Sequence, residues 1–135
     1  MKKHVKRMFN SNLNIFTHDI FFKQCIKKDL IILLYHDVSD NPSEFHSIYN
    51  LTVSIENFKT QLNFLKKYYN LISPLDLIKG NFHRPAAMIT FDDGIKSNFQ
   101  IAIEILLKEK IPSTHFINYS PIIGNCFYIG LVHYL

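Results

Sequence analysis

The stretch from Ala86 to Gly94, Ala-Ala-Met-Ile-Thr-Phe-Asp-Asp-Gly, constrains this chain more than any other. Its first six residues are an uncharged, nearly continuous apolar run. Such a run predicts a strand covered on both faces, as a parallel strand is inside an α/β protein. Asp92, Asp93 and Gly94 follow at once. Successive strand residues normally point to opposite faces. A strand that stops at Asp92 and turns at Gly94 instead brings both carboxylates to one rim. In α/β proteins the rim at the carboxyl ends of the strands is where ligands bind. Two neighbouring acids there repel unless a cation or a shared proton relieves them. The alternative is a strand-to-turn junction whose aspartates cap the next helix.

The elements around this stretch alternate. Leu30–Tyr35 predicts a buried strand with His36 and Asp37 at its carboxyl end, and residues 39–53 read as a loop with Asn41-Pro42 as its turn signal. Ser54 is a helix N-cap, and Ile55, Phe58, Leu62 and Leu65 form one apolar face down to about Tyr68. Leu71-Ile72 falls where a second strand is due. Ser73-Pro74 opens another helix, which Gly80 closes. After the acidic turn, Ile95, Phe99, Ala102 and Leu106 predict the core face of a helix that Pro112 cannot join, and Thr114 to Asn118 reads as a further strand. Strand–helix alternation of this kind implies parallel strands with right-handed crossovers.

With 135 residues the chain has the size of one domain, without room for a second. An apolar fraction of 47% excludes a disordered chain. The 15 basic and 11 acidic residues leave a charge of +4. Lys2, Lys3, Lys6 and Arg7, then Lys23, Lys27 and Lys28, either favour an anionic polymer or membrane surface or are solvated faces. Nothing reads as a nucleic-acid module. Cys25 and Cys126 are isolated, which fits buried thiols rather than a disulfide scaffold or a thiolate zinc site.

Residues 1–28 are expected to be an N-terminal extension. Phe9, Leu13, Phe16 and Ile20 lie at helical spacing, so an amphipathic helix is expected, lying on a membrane surface or packed against the domain. The basic start resembles the front of a signal peptide, but Asn10, Ser11, Asn12 and Asn14 interrupt the apolar core that should follow. No run approaches the ~18 apolar residues of a membrane span, and the expected location is cytoplasmic.

Four blocks carry a family resemblance. Thr90-Phe91-Asp92-Asp93-Gly94 resembles the first motif of the polysaccharide deacetylases, the NodB-like metal-dependent carbohydrate N-deacetylases. Leu33-Leu34-Tyr35-His36-Asp37-Val38 resembles the Tyr-His strand that opens many members. Phe58 to Tyr68 resembles the following helix, and Ile111-Pro112-Ser113-Thr114-His115-Phe116 the strand after the motif, where the family usually has an aromatic in place of His115. The resemblance spans about residues 29–132. It implies an α/β fold, a partial (β/α) barrel of the NodB type with flanking helices, and makes residues 29–135 the N-terminal part of such a domain, truncated.

The chemistry implied is hydrolysis of an N-acetyl group on a polysaccharide or glycan. An acetamide needs an activated water, a base for its proton and stabilisation of the oxyanion, and a divalent metal can supply the first and third. Carried over from the family, Asp92 is the general base and Asp93 a ligand of the metal, usually zinc. The family's remaining ligands come from a His-x-x-x-His-type motif. Here His4, His18, His36, His46, His83, His115 and His133 include no pair four or five apart. The resemblance therefore implies the front of a deacetylase domain with an incomplete ligand set. His36 shares the rim with the two acids, as an active-site contact or as a structural hydrogen-bonding group. His115, inside an expected strand and next to Phe116, reads as a core histidine.

Three functions follow: a deacetylase domain present in part; a catalytically inactive remnant that keeps the fold for carbohydrate binding or interaction; and an unrelated magnesium enzyme of the receiver type. The last wants its acidic pair after the first strand, whereas this pair follows a later one. An unclosed parallel sheet and an apolar end bearing Phe127, Tyr128, Leu131 and Tyr134 also lead us to expect self-association. Which glycan is cleaved is left open.

Overall fold

The computed structural model describes residues 29–125. In chain order these form β1 (Leu30–Tyr35), β2 (Asp37–Val38), α1 (Glu44–Ile48), β3 (Thr52–Val53), α2 (Ile55–Tyr68), β4 (Asn70–Leu71), α3 (Pro74–Lys79) and β5 (Ala86–Phe91). A π-helical turn (Asn98–Ala102) then leads into α4 (Ile103–Lys108), β6 (Ser113–His115) and α5 (Tyr119–Ile122). The expected helix within residues 1–28 and the aromatic end at residues 126–135 lie outside the described residues.

The uncharged run becomes the central strand, buried at all six positions. β1 pairs with β5 in parallel along its whole length, from Leu30 opposite Ala86 to Tyr35 opposite Phe91. The other edge of β5 is shared in parallel by β4 at Ala86–Ala87 and by β6 at Ile89–Phe91. Among the described residues no closed barrel forms: the architecture is a partial (β/α) barrel of parallel strands with flanking helices.

Alternation along β5 explains its double burial. Ala87, Ile89 and Phe91 join Phe58, Leu62 and Leu65 of α2, Tyr35 and Leu106 in the main core. Ala86 and Met88, one register position away, pack with Ile72 in a second cluster with Leu30, Leu77 and Phe82 against it. On that same alternation Thr90 is buried, and its hydroxyl donates to the Leu33 carbonyl at 2.9 Å.

The helix starts follow their local chemistry. Ser54 Oγ accepts from the Asn57 amide at 3.3 Å, and Asp40 Oδ1 accepts from the Ile55 amide at 3.0 Å. Ser73 and Asp76 form a reciprocal capping box, with Pro74 in the first turn and Gly80 ending the helix at φ 67°. The hydrogen bonds from Ser73 hold the Asp76 carboxyl below its ordinary range.

Four expectations need correction. Leu30–Tyr35 is a strand but not a buried one: only Tyr35 is buried and Ile32 is exposed, because β1 has β5 on one edge and no strand on the other among the described residues. Residues 39–53 are not simply a loop, because α1 and β3 lie within them and β3 pairs in parallel with β2. The last strand ends at His115, three residues short of Asn118, and Phe116 and Ile117 are exposed. In the helix after the acidic turn, Ala102 and Leu106 face the core as expected, but Phe99 is 40% exposed and Asn98 is buried in its stead. The wider π turn shifts the facing position by one residue. No helix among the described residues is long and apolar enough to cross a membrane.

Candidate functional site

Because β1 and β5 are parallel and end level, His36 and Asp92 leave the sheet side by side. The Asp92 amide donates to the Tyr35 carbonyl at 2.9 Å, which extends the ladder one residue and pins the first acid to the rim. The chain then reverses through Asp93 and Gly94, at φ 68° and 67°. Aspartate is among the few residues that enter this left-handed region readily. Gly94 has a second constraint, since a Cβ there would lie 3.1 Å from Ile117 Cγ2.

This turn aims Asp93 at β1: its Oδ2 lies 3.9 Å from His36 Nε2, with the two side chains 27% and 12% exposed. Asp92, Asp93 and His36 therefore share one half-buried rim. At this spacing the Asp93 carboxylate and a protonated His36 make an ion pair.

Two groups behind the rim were not singled out as site residues from sequence. Asp37, only 2% exposed, accepts from Thr52 Oγ1 at 2.7 Å and from Ser97 Oγ in a short contact. Asn98, fully buried, donates from Nδ2 to the His36 carbonyl at 2.7 Å. Asp37 is legible only as the neighbour of His36 in its block. Ser97 and Asn98 carry no spacing or composition signal, since they matter only through Asp37 and His36, some 60 residues away in sequence.

His115 stands opposite Phe91 at the end of β6. Its ring stacks on Phe91 with centroids 4.6 Å apart and leans on Phe99 at 5.6 Å. Nε2 lies 3.0 Å from Ser113 Oγ, while the buried Nδ1 has no hydrogen-bond partner among the described residues. Burial lowers its pKa, so the neutral ring is the form that fits this stack. The stability it contributes is present above the unfolded histidine value of about 6.5 and is lost as pH falls through the lower folded value. In urea unfolding between pH 8 and pH 5, His115→Phe is expected to keep more of its stability on acidification than the parent chain. Parallel pH profiles for the two proteins would contradict this.

Among the described residues no group of three or more His, Cys, Asp or Glu side chains is arranged to hold a metal ion. Asp93 and His36 make a pair, whereas a catalytic zinc site takes three protein ligands and an open position. The described residues thus do not compose a complete metal site. Cys25, Cys126 and His133 lie outside them.

No family model and no curated protein matches the sequence. Solved structures do. IcaB from Ammonifex degensii is 29% identical with a TM-score of 0.54, over 66% of this chain and 38% of its own. BC0361, a polysaccharide deacetylase from Bacillus cereus, is 28% identical with a TM-score of 0.56, over 67% and 29%. The Streptococcus pyogenes deacetylase PplD, solved in complex with acetate, is 27% identical with a TM-score of 0.56, over 67% and 42%. The matched region thus spans well under half of each of these proteins. Parallel strands, an acidic rim and these likenesses agree: the chain carries a partial NodB-like fold of the polysaccharide deacetylase type.

Proposed function

We propose that this chain contributes the base-bearing part of a carbohydrate N-deacetylase. The observation that carries the reading is the rim itself, with Asp92 and Asp93 at the end of β5 and His36 3.9 Å from Asp93. Asp92 accepts the proton of a water that attacks the acetamide carbonyl carbon; the C–N bond then breaks as the sugar nitrogen takes up a proton in exchange, giving acetate and a free amine on the sugar. Asp93 is the residue that would bind a divalent metal, zinc by preference, with His36 beside it. The substrate is an N-acetylated polysaccharide or glycan. In this reading residues 29–135 are the N-terminal part of the deacetylase domain and residues 1–28 an extension before it.

A second reading, a catalytically inactive remnant that binds carbohydrate, is favoured by the absence of a three-ligand group among the described residues. Self-association belongs to either reading. Phe116, Ile117, Tyr119, Ile122 and Ile123 are exposed beyond β6, which pairs only with β5 among the described residues.

The test is a chimera in which residues 29–125 replace the corresponding part of the Bacillus cereus deacetylase, assayed for acetate release from N-acetylglucosamine oligomers. Metal-dependent release supports the deacetylase reading. A folded chimera that binds the oligomers without turnover supports the remnant. The 135-residue chain on its own is expected to bind zinc more weakly than micromolar in calorimetry, to release no acetate, and to scatter light increasingly with concentration. Micromolar zinc affinity with turnover would show that side chains outside residues 29–125 complete the ligand set.

A further inference from the structure

We propose that Asn98, supported by Ser97, is a positioning residue that holds His36 against Asp93; the proposal rests on the reading of Asp92, Asp93 and His36 as the site. Ser97, just before the π turn, and Asn98, its first residue, grip Asp37 and His36, the two residues that follow β1. Ser97 Oγ donates to Asp37 Oδ1, and Asn98 Nδ2 donates to the His36 carbonyl at 2.7 Å. Thr52 Oγ1 holds the other oxygen of Asp37 at 2.7 Å, so β3 braces the grip from behind. Asp93, Gly94, Ile95 and Lys96 are the only residues between the acid pinned to the rim at Asp92 and this clamp. The loop bearing Asp93 is therefore tied at one end to Tyr35, the last residue of β1, and at the other to His36 and Asp37, which follow it.

The clamp runs against the apolar pattern of its own helix. The spacing of Ile95, Phe99, Ala102 and Leu106 would turn Phe99 inward, yet Phe99 is exposed and a carboxamide is buried. Burying an amide and exposing a phenyl ring are each unfavourable, and the bond to His36 is what the arrangement gains. Asn98 Oδ1 is left buried without a partner among the described residues, which is a further cost of keeping asparagine there. Inward turns of this π type recur at functional sites. A side chain needed only to fill the space would be apolar.

The test uses the full chain without substrate or metal. Asn98→Leu fills a similar volume and removes only the amide, and Ser97→Ala removes only the hydroxyl. Amide hydrogen exchange is followed at Asp92, which donates to Tyr35 across the rim, and at Ile89 in the middle of β5. The NMR cross-relaxation signal between the His36 ring and the Asp93 side chain is read alongside. With Asn98→Leu, exchange at Asp92 is expected to rise about tenfold while Ile89 stays within about twofold, and the His36–Asp93 signal is expected to fade. Ser97→Ala should give the same pattern more weakly, and decides the matter if Asn98→Leu does not fold. Exchange that rises equally at both amides, or at neither, with the His36–Asp93 signal intact, overturns the proposal. Because no acetate is measured, a chain that never deacetylates can still show the clamp, and an active chimera can still lack it.

Discussion

Replacing Phe91 with alanine is expected to cost about 3–5 kcal/mol, the range for removing a fully buried aromatic ring. Phe91 is the last residue of the central strand and only 1% exposed. Its ring stacks on Tyr35 with centroids 5.4 Å apart, meets Phe58 at 6.1 Å and carries His115 at 4.6 Å. These neighbours come from β1, α2 and β6, so none can collapse into the vacated space without moving a whole element. Tyr35 is held besides by its hydroxyl, which donates to Gln61 Oε1 at 2.7 Å, and burial pushes its phenol far above the ordinary tyrosine value. A domain of this size has only about 5–15 kcal/mol of stability, so the loss is a large fraction of the whole. Urea unfolding should show a lower midpoint at an unchanged slope. The exposed Phe99 is the control, and Phe99→Ala should shift stability by no more than about 0.5 kcal/mol. A Phe91→Ala shift below about 1 kcal/mol would mean that the ring is not the keystone of the core described here.

Asp92→Asn is the second large effect, expected in the chimera with the Bacillus cereus deacetylase. The backbone amide of residue 92 is held by the Tyr35 carbonyl at 2.9 Å whatever the side chain, so asparagine should keep its place on the rim. The change removes the basicity of the side chain. General base catalysis contributes roughly 10²–10⁴-fold, and acetate release should fall by that much. The loss should persist across pH, because no pH restores a base to a carboxamide. A variant within about threefold of the parent rate throughout the pH range would remove Asp92 from the role of base.

Much of this architecture depends on local pattern and was therefore readable in the chain. Ala86–Phe91 is uncharged and apolar except at Thr90, a pattern that suits a strand covered on both faces, and β5 is such a strand. Ser54, Ser73, Pro74 and Gly80 mark helix ends through hydrogen bonds and dihedral preferences that span four residues or fewer. The acidic pair could be placed on a rim for the same reason: a strand that ends in Asp-Asp-Gly must turn there.

Tertiary structure decided the rest wherever the partner lies far away in sequence. The two-residue strands β2 and β3 have no periodicity to read; they exist because they pair with each other beside the Asp37–Thr52 hydrogen bond. Asn98 takes the interior place expected for Phe99 where the His36 carbonyl, just past β1, accepts its amide, a contact that no helical periodicity encodes. The approach of His36 to Asp93 likewise needed the level register of β1 and β5, together with a left-handed Asp93. The sequence by itself determined which strand is central and which acids close it; the packing of distant segments determined what stands against those acids.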